Sequence, residues 1–454
     1  MSSVLTEGQD RIAQAGATGK SDIEVSTMRK VMNRLVPFLM FCYFINYLDR
    51  ANISVASLQM NPDLKLTSTM FGFGAGLFFL GYCIFEVPSN LLLYKFGARR
   101  WIARIMFTWG LCAIGMAFIK GEHSFYAVRF LLGAAEAGFQ PGVFFFLTLW
   151  FPAVYRARVL GLFFAAIPIS FMICSPISGM LLSLDGAFGM RGWQWLYIIE
   201  GLPAIIMAPI VLFYLQDRVA DAQWLATGQR EWLDGRLQSE LKTREKKRKY
   251  SVAQALTNPW VLFLGAVYFS NVCLNNATGP FLPQIVKSFG LTNMQTGFVS
   301  AIPYVCALIC VVWWGRRSDR QAERYGHAAL ATFIGGAGLL ASVLVSDPTL
   351  RLVALAVAVS GTLSFAPVFW AIAPSFLSGA AAAGGLAFIS AMGIVGGWLT
   401  PFLVGYLKDA TGSFTWGLGS VAVFGMVAGV ALYVIGRRQG TAIELPAGAA
   451  VESK

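Results

Sequence analysis

The sequence predicts an all-α membrane protein of 12 spanning helices, arranged as two pseudo-symmetric six-helix halves. Three observations lead there. The chain is 56% hydrophobic and 13% charged over 454 residues, with a mean hydropathy of +0.62; a soluble chain carries roughly 25% charged residues. Its apolar windows fall into two sets of six, separated by the polar stretch 216–257. The turns after the second and eighth windows carry matching basic clusters, Lys95-Phe96-Gly97-Ala98-Arg99-Arg100 and Gly315-Arg316-Arg317-Ser318-Asp319-Arg320, as a duplicated unit would.

Residues 1–30 are polar and read as a disordered tail, without the apolar core or cleavage pattern of a removable leader. Windows near 34–57, 71–92, 101–119, 124–149, 158–182 and 194–215 form the first half, 31–215. The 216–257 segment holds Lys246-Lys247-Arg248-Lys249 and several acids, and reads as an amphipathic connector. Windows near 259–284, 295–315, 327–346, 350–376, 382–407 and 414–436 form the second half, 258–436. Each window is long enough to cross ~30 Å of hydrocarbon at ~1.5 Å per residue. Residues 437–454 read as a second disordered tail.

Charge sets the expected orientation. Of 35 Lys and Arg, 27 lie in the tails, the connector and the alternate turns on one side. Six lie in the other set (Lys65, Lys120, Arg191, Lys287, Arg351 and Lys408), and Arg50 and Arg129 fall inside spans. This asymmetry is the positive-inside pattern. It predicts a multi-pass protein of the inner (plasma) membrane with both termini cytoplasmic. The net charge of +12 then belongs to anionic headgroups of the lipid bilayer rather than to nucleic acid.

Several chemistries are excluded. All seven cysteines fall in apolar spans and read as packing residues, neither disulfides nor metal ligands. Gln14-Ala15-Gly16-Ala17-Thr18-Gly19-Lys20-Ser21 ends like a phosphate-binding loop, but lacks its first glycine and follows no strand. Gly72, Gly74 and Gly76 are small residues that let membrane helices approach. No catalytic constellation or metal spacing is present, so the chain reads as no enzyme, with no cofactor and no metal. Both histidines, His123 and His327, fall at span edges.

The chemistry sits inside the spans. A charge at membrane depth costs ~2.5–3.5 kcal/mol on the lenient insertion scale, yet Asp49 and Arg50 are adjacent in the first span. Guanidinium cannot shed its proton to escape low dielectric, so Arg50 must be paired or bind an anion, and its fork suits a carboxylate. Asp49 projects ~100° away. Tyr47, three residues before Arg50, shares roughly its face; a phenol beside a guanidinium suits a hydroxy acid. Arg129 and Glu136 lie seven residues apart on one stripe of the fourth span, so a substrate anion that draws the arginine away would change the proton affinity of the acid. Glu86 and Glu200 read as structural. The second half offers neutral partners. Asn275 and Asn276 lie about as deep as Asp49 and Arg50, Trp370 and Ser390 are candidate cavity walls, and Tyr82 faces them from the first half. Charge thus lies in the first half and neutral hydrogen bonding in the second.

The duplicated turns resemble the signature of the major facilitator superfamily. Gly315, Asp319 and Arg320 match it; the first copy keeps Lys95, Gly97, Arg99 and Arg100 but has Asn90 and Tyr94 at the glycine and aspartate positions. Tyr47-Leu48-Asp49-Arg50-Ala51-Asn52-Ile53, Phe85-Glu86-Val87-Pro88-Ser89-Asn90, the run Arg129 to Gly142, and Ile199-Glu200-Gly201-Leu202-Pro203 resemble its anion:cation symporter branch. Met32 to Phe38 and Gly97 to Met106 are most similar to tartrate-type transporters. The branch has Asn where this chain has Ile394. The resemblance implies a small organic anion as cargo: a sugar acid, hydroxy-dicarboxylate, aromatic carboxylate or nicotinate, with a tartrate-like species favoured. It further implies gating by the signature turns and a proton carried by Glu136.

Arg50 and Arg129 against ionised Asp49 and Glu136 leave the empty site neutral, and protonating both acids leaves two positive charges for a dicarboxylate. The expected partners are therefore the organic anion and protons, moved by alternating access about a midplane site, with the chain acting as a monomer. An anion exchanger or a sodium-coupled carrier is the alternative. A drug efflux carrier has only the partial motif Ser175-Pro176-Ile177-Ser178-Gly179 in its favour, and a membrane enzyme or sensor has no visible catalytic cluster or signalling domain.

Overall fold

The computed structural model describes residues 22–245, 258–321, 323–372 and 379–443. Among them there are only helices, 12 of which are long and apolar enough to cross a membrane. In chain order they are α1 (Asp22–Asp63), α2 (Ser68–Phe96), α3 (Ala98–Gly115), α4 (Glu122–Glu136), α5 (Phe139–Trp150), α6 (Ala153–Leu181), α7 (Gly192–Tyr214), α8 (Thr227–Glu245), α9 (Pro259–Thr278), α10 (Leu282–Lys287), α11 (Asn293–Gln321), α12 (Tyr325–Leu344), α13 (Pro348–Ile372), α14 (Gly379–Thr411) and α15 (Thr415–Ile443). The fourth span is α4 continued by α5, the seventh is α9 continued by α10, and α8 belongs to the connector.

Packing repeats between the halves. Helix α1 packs on α6 and α7 as α9 packs on α14 and α15; α2 meets α4 as α11 meets α13; α3 meets α7 as α12 meets α15. The two main seams between halves, α2 with α14 and α6 with α11, are related by the same exchange. That correspondence is the physical form of the duplication read from the turns.

The seams close at the end away from Asp22 and Ile443, here the far end. Asp409, near the close of α14, accepts from the Ser68 and Thr69 amides at 3.1 and 2.6 Å and from the Thr69 hydroxyl at 2.6 Å. These are free donors of the first turn of α2, where a carboxylate is favoured. Gln284 on α10 donates to Ser57 of α1 at 3.0 Å. Ring pairs Phe71–Phe281, Phe73–Phe402 and Phe171–Tyr304 also cross between halves. Backbone meets backbone at glycine: a Cβ added to Gly405 would lie 2.1 Å from the Ser68 carbonyl oxygen, and one on Gly297 2.4 Å from that of Ser175.

The structure differs from the sequence reading at the termini. Helix α1 begins at Asp22, inside the segment expected to be a disordered tail. Its first turns have partners: Glu24 accepts from the Tyr155 hydroxyl at 2.8 Å, Lys30 donates to Gln229 of α8 at 3.0 Å, and Gln229 donates to Ser26 at 3.1 Å. Thr27, Met28 and Val31 are buried there. At the other end α15 continues to Ile443, past the expected limit of 436. Residues 1–21, the Lys246–Lys249 run and residues 444–454 lie outside the described residues.

Candidate functional site

The fourth span breaks at Ala137-Gly138. Pro141 has no amide to offer the Ala137 carbonyl and its ring would clash there, and Gly138 takes φ +88°, where a side chain is strained. A Cβ on Gly138 would also meet Ser89 Oγ at 2.3 Å. Glu136 is therefore the last residue of α4, fully buried, and it points at α1. Arg50 Nε donates to Glu136 Oε1 at 2.7 Å, and Arg50 Nη2 donates to the same oxygen. Glu136 Oε2 is buried with no hydrogen-bond partner. The pair is unequal in access: the Arg50 side chain is 19% exposed and that of Glu136 only 1%.

Three rings cup the guanidinium. Its carbon lies 5.3 Å from the Tyr47 ring centroid, 5.2 Å from Phe78 and 5.3 Å from Tyr82. Such a cage holds a cation's position while leaving its donors free to change partners. Tyr47 stands as i−3 to Arg50, on the face that helical spacing gives it, and Tyr82, read from the sequence only as facing the second half, reaches the same guanidinium from α2. Phe78 was not singled out there; its place one turn before Tyr82 on the same face is the signal that could have found it.

Asp49 takes a different environment. It is 2% exposed and meets no arginine within salt-bridge distance among the described residues. Trp109 Nε1 donates to its Oδ2 at 2.6 Å and Asn52 Nδ2 to its Oδ1 at 3.4 Å. Arg129, also buried, is not the partner of Glu136 that their seven-residue spacing suggests. Its Nε donates to the Gly74 carbonyl at 3.4 Å, and its guanidinium lies 4.9 Å from the Phe78 ring. Phe78 thus adjoins both arginines. Glu200 is 2% exposed on α7, and its Oε1 accepts from Ser178 at 2.6 Å.

The second half supplies neutral surfaces. Asn275 and Asn276 are half-buried on α9, and Asn276 donates to the Val272 carbonyl of its own helix at 3.0 Å. Asn271, one turn earlier, is buried and donates across to the Thr362 carbonyl at 3.3 Å. Trp370 is half-buried and meets Tyr268 edge-on at 5.0 Å, and Ser390 is half-buried on α14. Two further aromatics, one from each half, adjoin Tyr47: Tyr47 meets Phe171 of α6 at 6.3 Å, and Phe171 stacks on Tyr304 of α11 at 4.6 Å.

The signature turns lie at the end opposite the seal. Gly97 has φ +88° and closes α2, and Asp217, just after α7, accepts from the Arg99 amide at 2.8 Å. A carboxylate from elsewhere in the chain thus sits at the start of α3, while Tyr94, at the aspartate position of the signature, is exposed. Lys95 lies over the Phe96 ring, and Arg100 is exposed. Gly315, Asp319 and Arg320 fall in the last turns of α11, where Arg316, Arg317 and Arg320 line an open groove with Trp313. Among the described residues no cluster of His, Cys, Asp and Glu could hold a metal.

A sequence profile described as Major Facilitator Superfamily matches residues 39–274 and 264–451. Two provisionally named tartrate transporters of Agrobacterium vitis are each 44% identical to the chain, over 93% and 92% of it and 94% and 96% of their own lengths. A quinolone resistance transporter of Acinetobacter baumannii is 40% identical over 92% of the chain and 98% of its own length. Among solved structures, that of a D-xylose-proton symporter superposes with a TM-score of 0.72 at 15% identity, covering 88% of this chain and 97% of that one; at such identity the match speaks for the fold.

Proposed function

The chain belongs to the major facilitator superfamily, whose members are transporters rather than enzymes, and we propose that it imports a small organic anion, a tartrate-like hydroxy-dicarboxylate first, by proton symport. The observation that carries this reading is the Arg50–Glu136 contact. A partly accessible guanidinium in an aromatic cage spends both described donors on one oxygen of a buried carboxylate, whose other oxygen has no partner. A substrate carboxylate offers the same acceptor geometry as Glu136. A proton on Glu136 Oε2 neutralises the competitor and gives up Arg50 to the cargo. Loss of that proton restores the internal pair and expels the anion.

Asp49 is the second proton carrier in this scheme. Its carboxyl is buried and hydrogen-bonded by neutral donors alone, with no cation within salt-bridge distance among the described residues. Arg129 stays as the second positive charge of the liganded site. Tyr47 and Tyr82 flank the cargo from the first half, and Asn275, Asn276, Trp370 and Ser390 from the second. The identity to relatives named for tartrate supports the choice of cargo.

The positive-inside asymmetry supports termini in the cytoplasm of an inner (plasma) membrane, which makes the sealed far end external. The described state is then closed to the outside, and the halves rock about the site to expose it to each side in turn. The signature turns act as inner gates, and the carrier works as a monomer. A dianion entering with two protons moves no net charge; a monoanion with two protons carries one positive charge inward, worth ~2.3 kcal/mol per 100 mV.

The test is uptake of labelled tartrate into proteoliposomes with an acid exterior, no sodium and no internal organic anion. Accumulation above equilibrium that collapses with a protonophore is the expected result. Uptake that instead requires sodium or a preloaded anion overturns proton coupling. If tartrate is not moved, a thermal-shift screen against small carboxylates identifies the cargo.

A further inference from the structure

Lys408 is a cation close to the seam between the halves that the proposed mechanism does not use. It stands three residues before the close of α14 at Thr411, about 4–5 Å along the helix from the far end. It is half-buried, and among the described residues it pairs with no carboxylate. Its neighbour Asp409 is turned to the first turn of α2 instead. Lys408 Nζ lies 4.2 Å from the Phe414 ring centroid and reaches Gln284 Oε1 of α10 at 3.5 Å. Gln284 Nε2 in turn donates to Ser57 Oγ of α1 at 3.0 Å, across the seam. Phe414 packs on Phe281 at 5.4 Å and Phe281 on Phe71 of α2 at 5.7 Å, so the ring beside Lys408 belongs to the same closure.

An ammonium can only donate. Lys408 therefore keeps the oxygen of the Gln284 amide on its own side and turns the amide N–H groups toward α1. While the far end is sealed, the Ser57 hydroxyl takes that donor. Ser57 itself donates to the Ser54 carbonyl at 2.7 Å, which fixes its oxygen as the acceptor. Parting of the halves here draws Ser57 away from Gln284. The second half then presents an ammonium beside a freed amide N–H, a donor set that fits one carboxylate. Ser54 and Ser57 stand four and seven residues after Arg50 on one face of α1, both buried. The contact with Gln284 thus lies about 10 Å along α1 from Arg50, toward the far end. We propose that Lys408 and Gln284 form an external capture site for a carboxylate of the incoming anion. The same amide serves the cargo when the far end is open and Ser57 when it is shut, so the seal re-forms through Gln284 only after the carboxylate has moved on. The inference rests on the anion import proposed above, and it adds a recognition site outside the central one.

The experiment compares the full chain with Lys408→Gln, Lys408→Arg, Gln284→Leu and Gln284→Glu. Uptake of labelled tartrate by intact cells reads the external face, and inside-out vesicles read the cytoplasmic one. Lys408→Gln should raise the external KM roughly tenfold, the effect of one lost bond to a charged group, with little change in maximal rate. Its external KM should also respond less to ionic strength, because a charge at the entrance is gone. Lys408→Arg should stay near wild type. Gln284→Leu should raise the external KM, and Gln284→Glu, which gives Lys408 an internal carboxylate, should raise it further; either serves if the other does not fold. The KM from the cytoplasmic face should not move. An unchanged external KM in Lys408→Gln overturns the proposal. Equal shifts from both faces, or a slower maximal rate at constant KM, mean that Lys408 only fastens the seal, and overturn it too. A wild type that takes up no tartrate refutes the function reading, and the capture site is then decided without transport. An impermeant amine reagent applied outside should modify Lys408, read by mass spectrometry, and millimolar tartrate should slow that modification in the wild type but not in Gln284→Leu. A Lys408 that stays unmodified, or is modified as fast with tartrate present, overturns the proposal.

Discussion

Replacing Arg50 by lysine keeps the positive charge and removes the planar fork, which makes it a sharp probe of anion recognition. In the structure the guanidinium gives two donors to a single carboxylate oxygen and lies 5.2–5.3 Å from three ring centroids. An ammonium retains a point charge but not both directed bonds. Losing one hydrogen bond to a charged group costs about 1.5–3 kcal/mol, and a poorer fit to the aromatic cage adds about 0.5–1 kcal/mol. A net loss of about 2–4 kcal/mol corresponds to a roughly 30–700-fold rise in the apparent KM for tartrate, at ~1.4 kcal/mol per tenfold. Initial uptake rates over a concentration series in proteoliposomes measure it, with thermal shift by tartrate as a binding check. Arg50→Ala should abolish uptake and destabilise the protein, because it strands Glu136 without its counter-charge, and Arg50→Ala/Glu136→Gln should recover part of that stability. A lysine variant whose KM stays within about threefold of wild type, less than 1 kcal/mol, would refute the assignment of directed recognition to Arg50.

Three further outcomes are expected. Glu136→Gln should retain tartrate counterflow and lose both proton-driven accumulation and the pH dependence of exchange; accumulation against a gradient in this variant would place the proton on another group. Asp409→Asn removes the anion from the start of α2, worth about 0.5–2 kcal/mol, so spin-label distances across the far end should show a larger open population, and an unchanged distribution would deny it a latch role. Gly405→Val puts atoms where the Ser68 carbonyl stands, at a cost of about 1–3 kcal/mol to the sealed state; far-end cysteines should label faster and net uptake should fall, whereas full uptake with normal labelling would show the seam to be looser than described.

What could be read in advance follows from the length scale of each signal. Hydropathy over some twenty residues marks a span, and all 12 windows correspond to spanning helices. Tyr47 falls beside Arg50 because helical spacing suffices to place it, whereas the approach of Tyr82 from α2 is a tertiary contact. The partner of Glu136 could not be read the same way. Its seven-residue spacing from Arg129 points along one helix, while the contact made is to Arg50, 86 positions away, after the break forced by Gly138 and Pro141. The start of α1 was missed for a similar reason: its polar first turns are stabilised by Tyr155 and Gln229, far off in sequence. Pairings of this kind depend on tertiary closeness, which no local window records.

The seal at the far end has one more consequence. Where Gly405 meets Ser68 and Gly297 meets Ser175, main chain lies directly on main chain. A barrier built from side chains can leak one rotamer at a time on a fast timescale. At these two contacts there is no rotamer to flip, so a breach there needs rigid-body parting of the packed helices. Leakage past these two contacts is thereby tied to the slow rigid-body motion that parts the seam, and at these points the seal is backbone that no change of rotamer can breach.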